Sequence, residues 1–321
     1  MSYAAALVEG LYRAMESDVR VNLIGSYVLG LGPQRGLMDR IREAFPGRIC
    51  DPPTAEAATA GMGAGAAMAG ARPFVDLGTG SFAYLAWSQL VNEAAVAHHM
   101  SNGQISVPVV YHLLHGVRGG GAAQHSASPQ AMLWNAPGLE IVVPASAADV
   151  KGLVRTALDS PNPTVMVSHA RLLPIEGPVP EGDYRIPFGQ ADIKRRGTDV
   201  TIVANSYMVW LALQAAAALA LEGVQAEVVD LRTLAPLDEA LILDSVARTG
   251  RLVVVDECPL RCGIASEIAA TVAERGFGLL KAAPVRVTRA QVPVPFSAAL
   301  EAAITPDADK VAAAVRRVLA S

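Results

Sequence analysis

Short β-rich runs alternate with Ala-rich helical stretches along most of the chain, and this alternation limits the possible folds more than any other feature of the sequence. The strand candidates of the first half are Val21–Ile24, Arg72–Leu77, Val107–His112, Glu140–Val143 and Thr164–Val167. Those of the second half are Asp199–Ala204, Gln225–Asp230, Arg251–Asp256 and Pro284–Thr288. Such alternation is typical of a parallel sheet between layers of helices. The sequence therefore predicts an α/β fold.

A Pro- and Gly-rich stretch with an Arg/Lys cluster, Pro174–Gly197, separates the two series of strands. This composition favours a linker, so we predict a first domain at 1–185, which includes the start of the linker, and a second at 186–321. The second domain opens with a strand, the helical run Tyr207–Leu221 and another strand, a βαβ unit with a right-handed crossover.

Composition and charge exclude several classes of partner. With 26 Lys and Arg against 30 Asp and Glu, the net charge is −4, which argues against nucleic acid or an anionic membrane surface. The longest apolar run, Tyr207–Leu221, is interrupted by Gln214 and falls short of the roughly 18 residues that span a bilayer. With 52% hydrophobic and 17% charged residues, we expect an oligomer. Three cysteines and no signal-peptide layout predict the cytoplasm.

Two stretches carry candidate chemistry. In the first, Thr54 is predicted to cap a helix whose first turn holds Glu56, followed by closely spaced glycines that favour a close helix crossing or a subunit interface. In the second, His125 follows a Gly-rich loop after a predicted strand, where open α/β sheets bind ligands. From the residues alone, Glu56 is either a capping carboxylate or a functional one, and His125 is either a solvated loop residue or an acid/base group.

Other kinds of site have little support. No G-x-G-x-x-G follows the strand that ends at Ala204, and no P-loop occurs anywhere. Two pairs of histidines, His98 with His99 and His112 with His115, lack a third ligand at metal-site spacing. Cys258 and Cys262 are separated by three residues, whereas a redox motif has two. We therefore do not expect a dinucleotide, a zinc ion or a redox pair.

A series of collinear motifs covers essentially the whole chain. They are Gly25 with its following loop, Asp51–Glu56 with the Gly-rich helix, Gln89–Ala95, Ala123–Ser126, Pro137–Pro144, Asp149–Gly152, Pro180–Tyr184, Val228–Asp238 and Gly250–Glu257. In this order they resemble the beta subunit of the decarboxylating component of 2-oxo acid dehydrogenases, the pyruvate, branched-chain and acetoin group. The resemblance implies a thiamine-diphosphate enzyme with an N-terminal pyrimidine-binding parallel-sheet domain and a C-terminal transketolase-type α/β domain used in assembly.

The resemblance also implies roles for three residues. Glu56 would hydrogen-bond the pyrimidine ring nitrogen of thiamine diphosphate, so that the exocyclic amine can take the proton from the thiazolium carbon. Phe82 would lie against the pyrimidine ring. His125 would face the thiazolium side and act in proton transfer and in handing the acyl group to a lipoyl arm.

The chain lacks the Gly-Asp-Gly motif with which this family holds diphosphate through Mg²⁺. The resemblance therefore implies an alpha subunit in an α₂β₂ heterotetramer, with the Gly-lined helix between two beta chains, and a lipoyl acyltransferase core as a further partner. A potassium loop of some relatives maps to Ala157, Ser160 and Asn162, where Ser160 replaces an acidic ligand.

The chain departs from the family's pattern near the pocket. The departures are Ser26 and Tyr27 after Gly25, Pro52 in the Asp51–Pro53 segment, Gly78 and Ser88. They leave three functions open: decarboxylation of a 2-oxo acid with acyl transfer, a split transketolase-like or carboligating enzyme, and a non-catalytic assembly subunit. The first is the leading hypothesis, because a structural chain needs none of Glu56, Phe82 and His125.

Overall fold

The computed structural model describes residues 1–25 and 32–321 and divides the chain into two compact units. The first unit contains Met1–Gly116 and Gln124–Phe188, and the second contains Val117–Ala123 and Gly189–Ser321. The Gly-rich segment 117–123 is thus grouped with the second unit, although its chain neighbours on both sides belong to the first.

The first unit is a parallel sheet with helices. Its strands are β1 Val21–Ile24, β2 Ile49–Cys50, β3 Arg72–Thr79, β4 Val110–His115, β5 Glu140–Val142 and β6 Thr164–His169. Its α-helices are α1 Tyr3–Ser17, α2 Asp39–Ala44, α3 Glu56–Met68, α4 Ala97–Met100, α5 Gln130–Trp134 and α6 Ala147–Asp159. The strands lie in the order β5-β6-β4-β3-β1-β2. From β1 the chain runs to β2 on one side and then crosses to β3 on the other, so the carboxyl ends of β1 and β3 flank a topological switch point, where ligands bind in such sheets.

The second unit is built around a five-stranded sheet in the order β12-β11-β8-β9-β7. Its strands are β7 Asp192–Arg195, β8 Val200–Ala204, β9 Ala226–Asp230, β10 Thr233–Ala235, β11 Leu252–Pro259 and β12 Val285–Arg289. Its helices are α7 Tyr207–Ala220, α8 Glu239–Thr249, α9 Ile264–Arg275, α10 Ala298–Ile304 and α11 Ala308–Leu319. In the five-stranded sheet β7 pairs antiparallel with β9, and the other pairs are parallel.

Each predicted strand is present, with ends that move by up to three residues. The predicted linker is wrong in its last part, because Asp192–Arg195 forms the edge strand β7. An edge strand needs one partner only and tolerates charged side chains, so its sequence resembles a loop. The apolar run after Ser206 forms α7, and no helix among the described residues is long and apolar enough to cross a bilayer.

Candidate active site

Glu56 is the first residue of α3, and its side chain is only 7% exposed. The helix starts from Ala55 without a side-chain cap, so the predicted cap at Thr54 is wrong. No hydrogen bond or ion pair within residues 1–25 and 32–321 involves the Glu56 carboxylate. Glu56 is a buried residue whose carboxylate has no partner among the described residues, so this group can accept a hydrogen bond from a bound molecule.

Glycine lets α3 lie close against the sheet. A Cβ on Gly63 would lie 2.4 Å from Cγ2 of Val75 in β3, and the Tyr111 hydroxyl of β4 donates to the Ala60 carbonyl over 3.2 Å. Since α3 follows β2 and precedes β3 in a parallel sheet, its first turn lies at the carboxyl edge of the strands. The fold therefore places Glu56 at the edge that bears the switch point.

Phe82 and His125 meet at the same edge. Phe82 lies in the 3₁₀ turn Gly80–Tyr84 directly after β3, and its ring meets the His125 imidazole edge-on, with 5.7 Å between centroids. The Ser81 hydroxyl donates to the Gln124 carbonyl, which joins the two loops. The structure thus brings together two of the three residues that the resemblance selects, and His125 remains exposed in the single chain.

The close approach of these loops depends on Gly80. A Cβ at this position would lie 3.0 Å from the Ala127 carbonyl oxygen and 3.0 Å from Cδ of Pro129, and 3.4 Å from Cβ of His115. Such contacts are tighter than side chains normally make, so glycine keeps the turn that bears Phe82 against the loop that bears His125.

Two buried histidines that sequence reasoning did not assign to the site lie at the ends of β4 and β6. His115 and His169 are register partners, and their rings pack edge-on with 4.8 Å between centroids. Nδ1 of His169 accepts from the Arg171 main chain over 3.0 Å, and a Cβ on Gly116 would lie 2.0 Å from its Nε2. In the sequence, the only signal for this pair is that each histidine lies two or three residues beyond the end of a predicted strand.

Further polar atoms are buried in the segment after His125. The Ser126 hydroxyl and both amide atoms of Gln130 lack a hydrogen-bond partner among the described residues. Buried groups of this kind are normally satisfied by bound water or by a ligand. No group of three or more His, Cys, Asp or Glu side chains in the described part of the chain is arranged to hold a metal ion.

The departures from the family's pattern have different structural settings. Gly78 lies near the end of β3 with φ +75°, and its main-chain N–H donates to the Asp76 carboxylate over 3.0 Å. Ser88 starts a π-helical turn that ends at Ala94. Ser26 and Tyr27 lie outside the described residues. Gly78 is thus held in a conformation that few other residues adopt.

The predicted potassium loop has contacts within the chain. Nη1 of Arg72 donates to the carbonyls of Leu158 and Ser160 over 2.7 and 3.0 Å. The side chains of Ser160 and Asn162 donate to the Glu140 carboxylate over 2.7 and 3.0 Å, and the Ala157 carbonyl accepts from the Ser160 main chain over 3.3 Å. Of the three residues of the predicted potassium loop, the positively charged guanidinium of Arg72 therefore bonds the carbonyl of one, Ser160.

Comparison with known proteins agrees with the two units. Residues 1–176 match the pyrimidine-binding domain of transketolase, and residues 189–311 match the transketolase C-terminal domain. The chain is 40% identical to the beta subunit of the acetoin:2,6-dichlorophenolindophenol oxidoreductase of Cupriavidus necator, over 99% of this chain and 97% of that protein. It is 39% identical to the mitochondrial pyruvate dehydrogenase E1 component subunit beta-2 of Oryza sativa subsp. japonica, over 99% of this chain and 86% of that protein.

Solved structures give the same result. A structure titled as a split gene transketolase, an inactive beta4 tetramer, superposes with a TM-score of 0.82 at 27% identity, covering 100% of this chain and 98% of that one. The chain therefore belongs to the thiamine-diphosphate-dependent transketolase superfamily, and within it to the family of beta subunits of the decarboxylating component of 2-oxo acid dehydrogenases.

Proposed function

We propose that this chain is the pyrimidine-binding half of a thiamine-diphosphate enzyme that decarboxylates a 2-oxo acid and passes the acyl group to a lipoyl domain. The observation that carries the proposal is the buried Glu56 carboxylate at the start of α3, which has no partner among the described residues. In the same unit, Phe82 and His125 are in contact at the carboxyl edge of the sheet.

The residues present fit the cofactor. Thiamine diphosphate would supply a carbon nucleophile and an electron sink for the decarboxylation of a 2-oxo acid. Glu56 holds a proton between its carboxylate and the pyrimidine ring nitrogen, which sets the tautomer of the neighbouring amine. Phe82 supplies an apolar face for a flat ring and excludes water from it.

His125 acts on the substrate side. Its imidazole is exposed in the single chain and is held at one edge by Phe82, so one ring nitrogen can reach a bound substrate. Histidine exchanges protons near neutral pH, so it can donate to the substrate oxygen. When the disulfide of an incoming lipoyl arm opens, one sulfur takes the acyl group, and His125 can donate a proton to the other sulfur as it leaves.

An alpha subunit completes the site in this proposal. The chain has no Gly-Asp-Gly motif, so Mg²⁺ and the diphosphate are held by the partner in an α₂β₂ heterotetramer. The solved split gene transketolase is described as inactive in its beta-only form, which supports dependence on a second subunit here. A lipoyl acyltransferase core is the acceptor of the acyl group.

Calorimetric titration tests the shared site. Thiamine diphosphate with Mg²⁺ is titrated into the lone chain and into its complex with a candidate alpha subunit. We expect binding by the complex only, followed by turnover with pyruvate or a branched-chain 2-oxo acid. Tight binding by the lone chain would refute the division of the site, and absence of binding in both would favour a non-catalytic subunit.

A second candidate function is a split transketolase, because the solved structure of a split gene transketolase matches the whole chain. It would use the same Glu56 and His125 with an aldehyde acceptor in place of a lipoyl arm. One assay separates the two functions. The complex is given either a 2-oxo acid or a ketose phosphate as the donor, and each donor is tested with a lipoyl domain and with an aldose phosphate as the acceptor. Product from the sugar pair alone would establish the second candidate.

Potassium has no required role in the proposal. The Arg72 guanidinium already bonds the carbonyls of Leu158 and Ser160, and a second cation there would be repelled. We expect turnover and melting temperature to be the same in potassium and in sodium chloride at equal ionic strength. A rise in melting temperature that saturates with potassium, and does not occur with sodium, would show that the ion binds.

A further inference from the structure

The segment that leads into His125, residues 117–123, is held by the second unit. Within it Gly119, Gly120 and Ala122 have φ values of +84°, +78° and +49°. Glycine adopts such φ values without strain, so Gly119 and Gly120 suit this backbone, whereas Ala122 adopts its positive φ at a steric cost.

Two buried carboxylates of the second unit bind the main chain of this segment. Oε1 of Glu257 in β11 accepts from the Val117 N–H over 2.6 Å, and Oε1 of Glu301 in α10 accepts from the Gly120 N–H over 3.1 Å. The two glutamates are 3% and 2% exposed. Hydrogen bonds from main-chain N–H groups to carboxylates are stronger than neutral ones, so each bond fixes one point of the segment.

The aromatic side chain of Phe296 lies beside Gly120, the second fixed point of the segment. A Cβ on Gly120 would lie 3.5 Å from Cε2 of Phe296, so the glycine lies close to this ring. The main chain of the segment is thus fixed by contacts with three elements or loops of the second unit, those that bear Glu257, Phe296 and Glu301.

We propose that Glu257 and Glu301 are positioning residues, which fix the segment and so set the place of His125 in the site. The inference rests on the proposed function in one respect, the role of His125 in acyl transfer. The proposal assigns a role to two glutamates to which the resemblance gives none. Four residues, 121–124, separate Gly120, the second fixed point, from His125, so a shift at Gly120 can reach His125 through a short stretch of main chain.

Hydrogen exchange in the α₂β₂ complex tests the tether without relying on activity. The variants are Glu301→Ala, which removes the acceptor, and Glu301→Gln, which keeps an oxygen but loses the charge. The matched control is Glu227→Gln, since Glu227 is a buried carboxylate of the same unit that binds the side chains of Ser245 and Arg248 instead. If Glu301→Ala does not fold, Gly120→Ala disturbs the same point through its φ of +78°.

We expect exchange in peptides covering 117–127 to be faster on the order of tenfold in Glu301→Ala, less so in Glu301→Gln, and unchanged in Glu227→Gln. Unchanged exchange in Glu301→Ala would overturn the tether. Equal acceleration in the control would show general loosening of the unit and would also overturn it.

Kinetics then test the effect on His125. Reduction of 2,6-dichlorophenolindophenol reports the reaction without a lipoyl acceptor, and acylation of a lipoyl domain reports the complete reaction. We expect Glu301→Ala to lower lipoyl acylation about tenfold more than dye reduction, because small displacements of a reacting group are costly. His125→Ala gives the reference pattern. A Glu301→Ala variant that behaves like Glu227→Gln in both assays would overturn the positioning role.

The two hypotheses can fail separately. If His125→Ala leaves lipoyl acylation unchanged, the proposed role of His125 is wrong. Exchange at 124–127 then decides the inference, because a positioning residue must alter exchange at His125 itself. Unchanged exchange there in Glu301→Ala would overturn it.

Discussion

Glu56 is the residue on which the proposed chemistry depends most, because a proton shared with its carboxylate sets the reactive form of the cofactor. We expect Glu56→Gln to lower turnover of the α₂β₂ complex by about 10²- to 10⁴-fold, the usual contribution of a positioned proton donor or acceptor. Assembly, measured by sedimentation, stays intact. Glu176→Gln, a change of the same type at an exposed position of the first unit, is the control. Wild-type turnover in Glu56→Gln would contradict the assignment.

The burial of Asp256 makes the stability of the fold depend on pH. The carboxyl is fully buried in β11, and this loss of solvation raises its pKa, while main-chain donors at Cys258 and Ala265 partly oppose the rise. Between about pH 4, where an unfolded aspartate titrates, and the raised pKa, the folded state binds the proton more tightly. Stability in this window therefore falls as pH rises.

Replacement of Asp256 by Asn removes this titration. We expect the free energy of unfolding of Asp256→Asn, measured by urea titration from pH 4.5 to 7.5, to fall less steeply with pH than that of the wild type. The difference in slope can reach about 1.4 kcal/mol per pH unit. Asp244→Asn, on the exposed face of α8, should keep the wild-type slope. Parallel pH curves for Asp256→Asn and the wild type would refute this account.

At the scale of elements, the sequence predicts what depends on local patterns. The buried strands and α7 follow from apolar runs, and the start of α3 near Glu56 follows from the prolines before it. The short or charged strands β2, β7 and β10 are missed, because two to four residues without an apolar pattern resemble loops. The meeting of His115 with His169 is also missed, since it depends on the pairing of β4 with β6 across the sheet.

The hydrogen bonds of Glu257 and Glu301 also depend on contacts between distant parts of the chain. Glu257 ends the family motif Gly250–Glu257 and Glu301 lies outside every motif, but neither position indicates a partner, which lies more than a hundred residues away along the chain. Family motifs locate Glu56, Phe82 and His125 because the chemistry keeps those residue types in fixed local contexts. A partner that is a distant main-chain N–H leaves no mark in the sequence, so only the fold reveals what Glu257 and Glu301 bind.

Helix α3 contains two glycines with opposite surroundings. A Cβ on Gly63 meets Val75 at 2.4 Å, whereas no atom lies within 4 Å of the Cβ position of Gly65. We expect Gly63→Ala to destabilise the isolated chain by about 1–3 kcal/mol through overpacking. Gly65→Ala should stabilise it by up to about 1 kcal/mol through helix propensity. Thermal melts of both variants check this, and equal signs would refute the packing of α3 on β3.

At the scale of the whole molecule, apolar surface remains on the first unit. Along α3, Ala58, Met62, Gly65 and Met68 are exposed, and Met62 and Met68 are 43% and 42% accessible. Glycine and alanine allow close approach of a second backbone, and methionine adapts to irregular partners. Such a stripe on a chain with only 17% charged residues favours burial in a subunit interface, in agreement with the expected oligomer.

A charge placed on this stripe tests which subunit covers it. We expect Met62→Lys to leave the melting temperature of the lone chain unchanged, because the side chain is exposed, and to weaken assembly through an unpaired charge at the interface. If the stripe lies between two copies of this chain, sedimentation of the mixture with the alpha subunit should show αβ heterodimers in place of α₂β₂. Val19→Lys, at a position 85% exposed, is the control and should assemble as the wild type does. Complete loss of alpha binding in Met62→Lys would place the stripe against the alpha subunit instead, and an intact α₂β₂ complex would remove it from either interface.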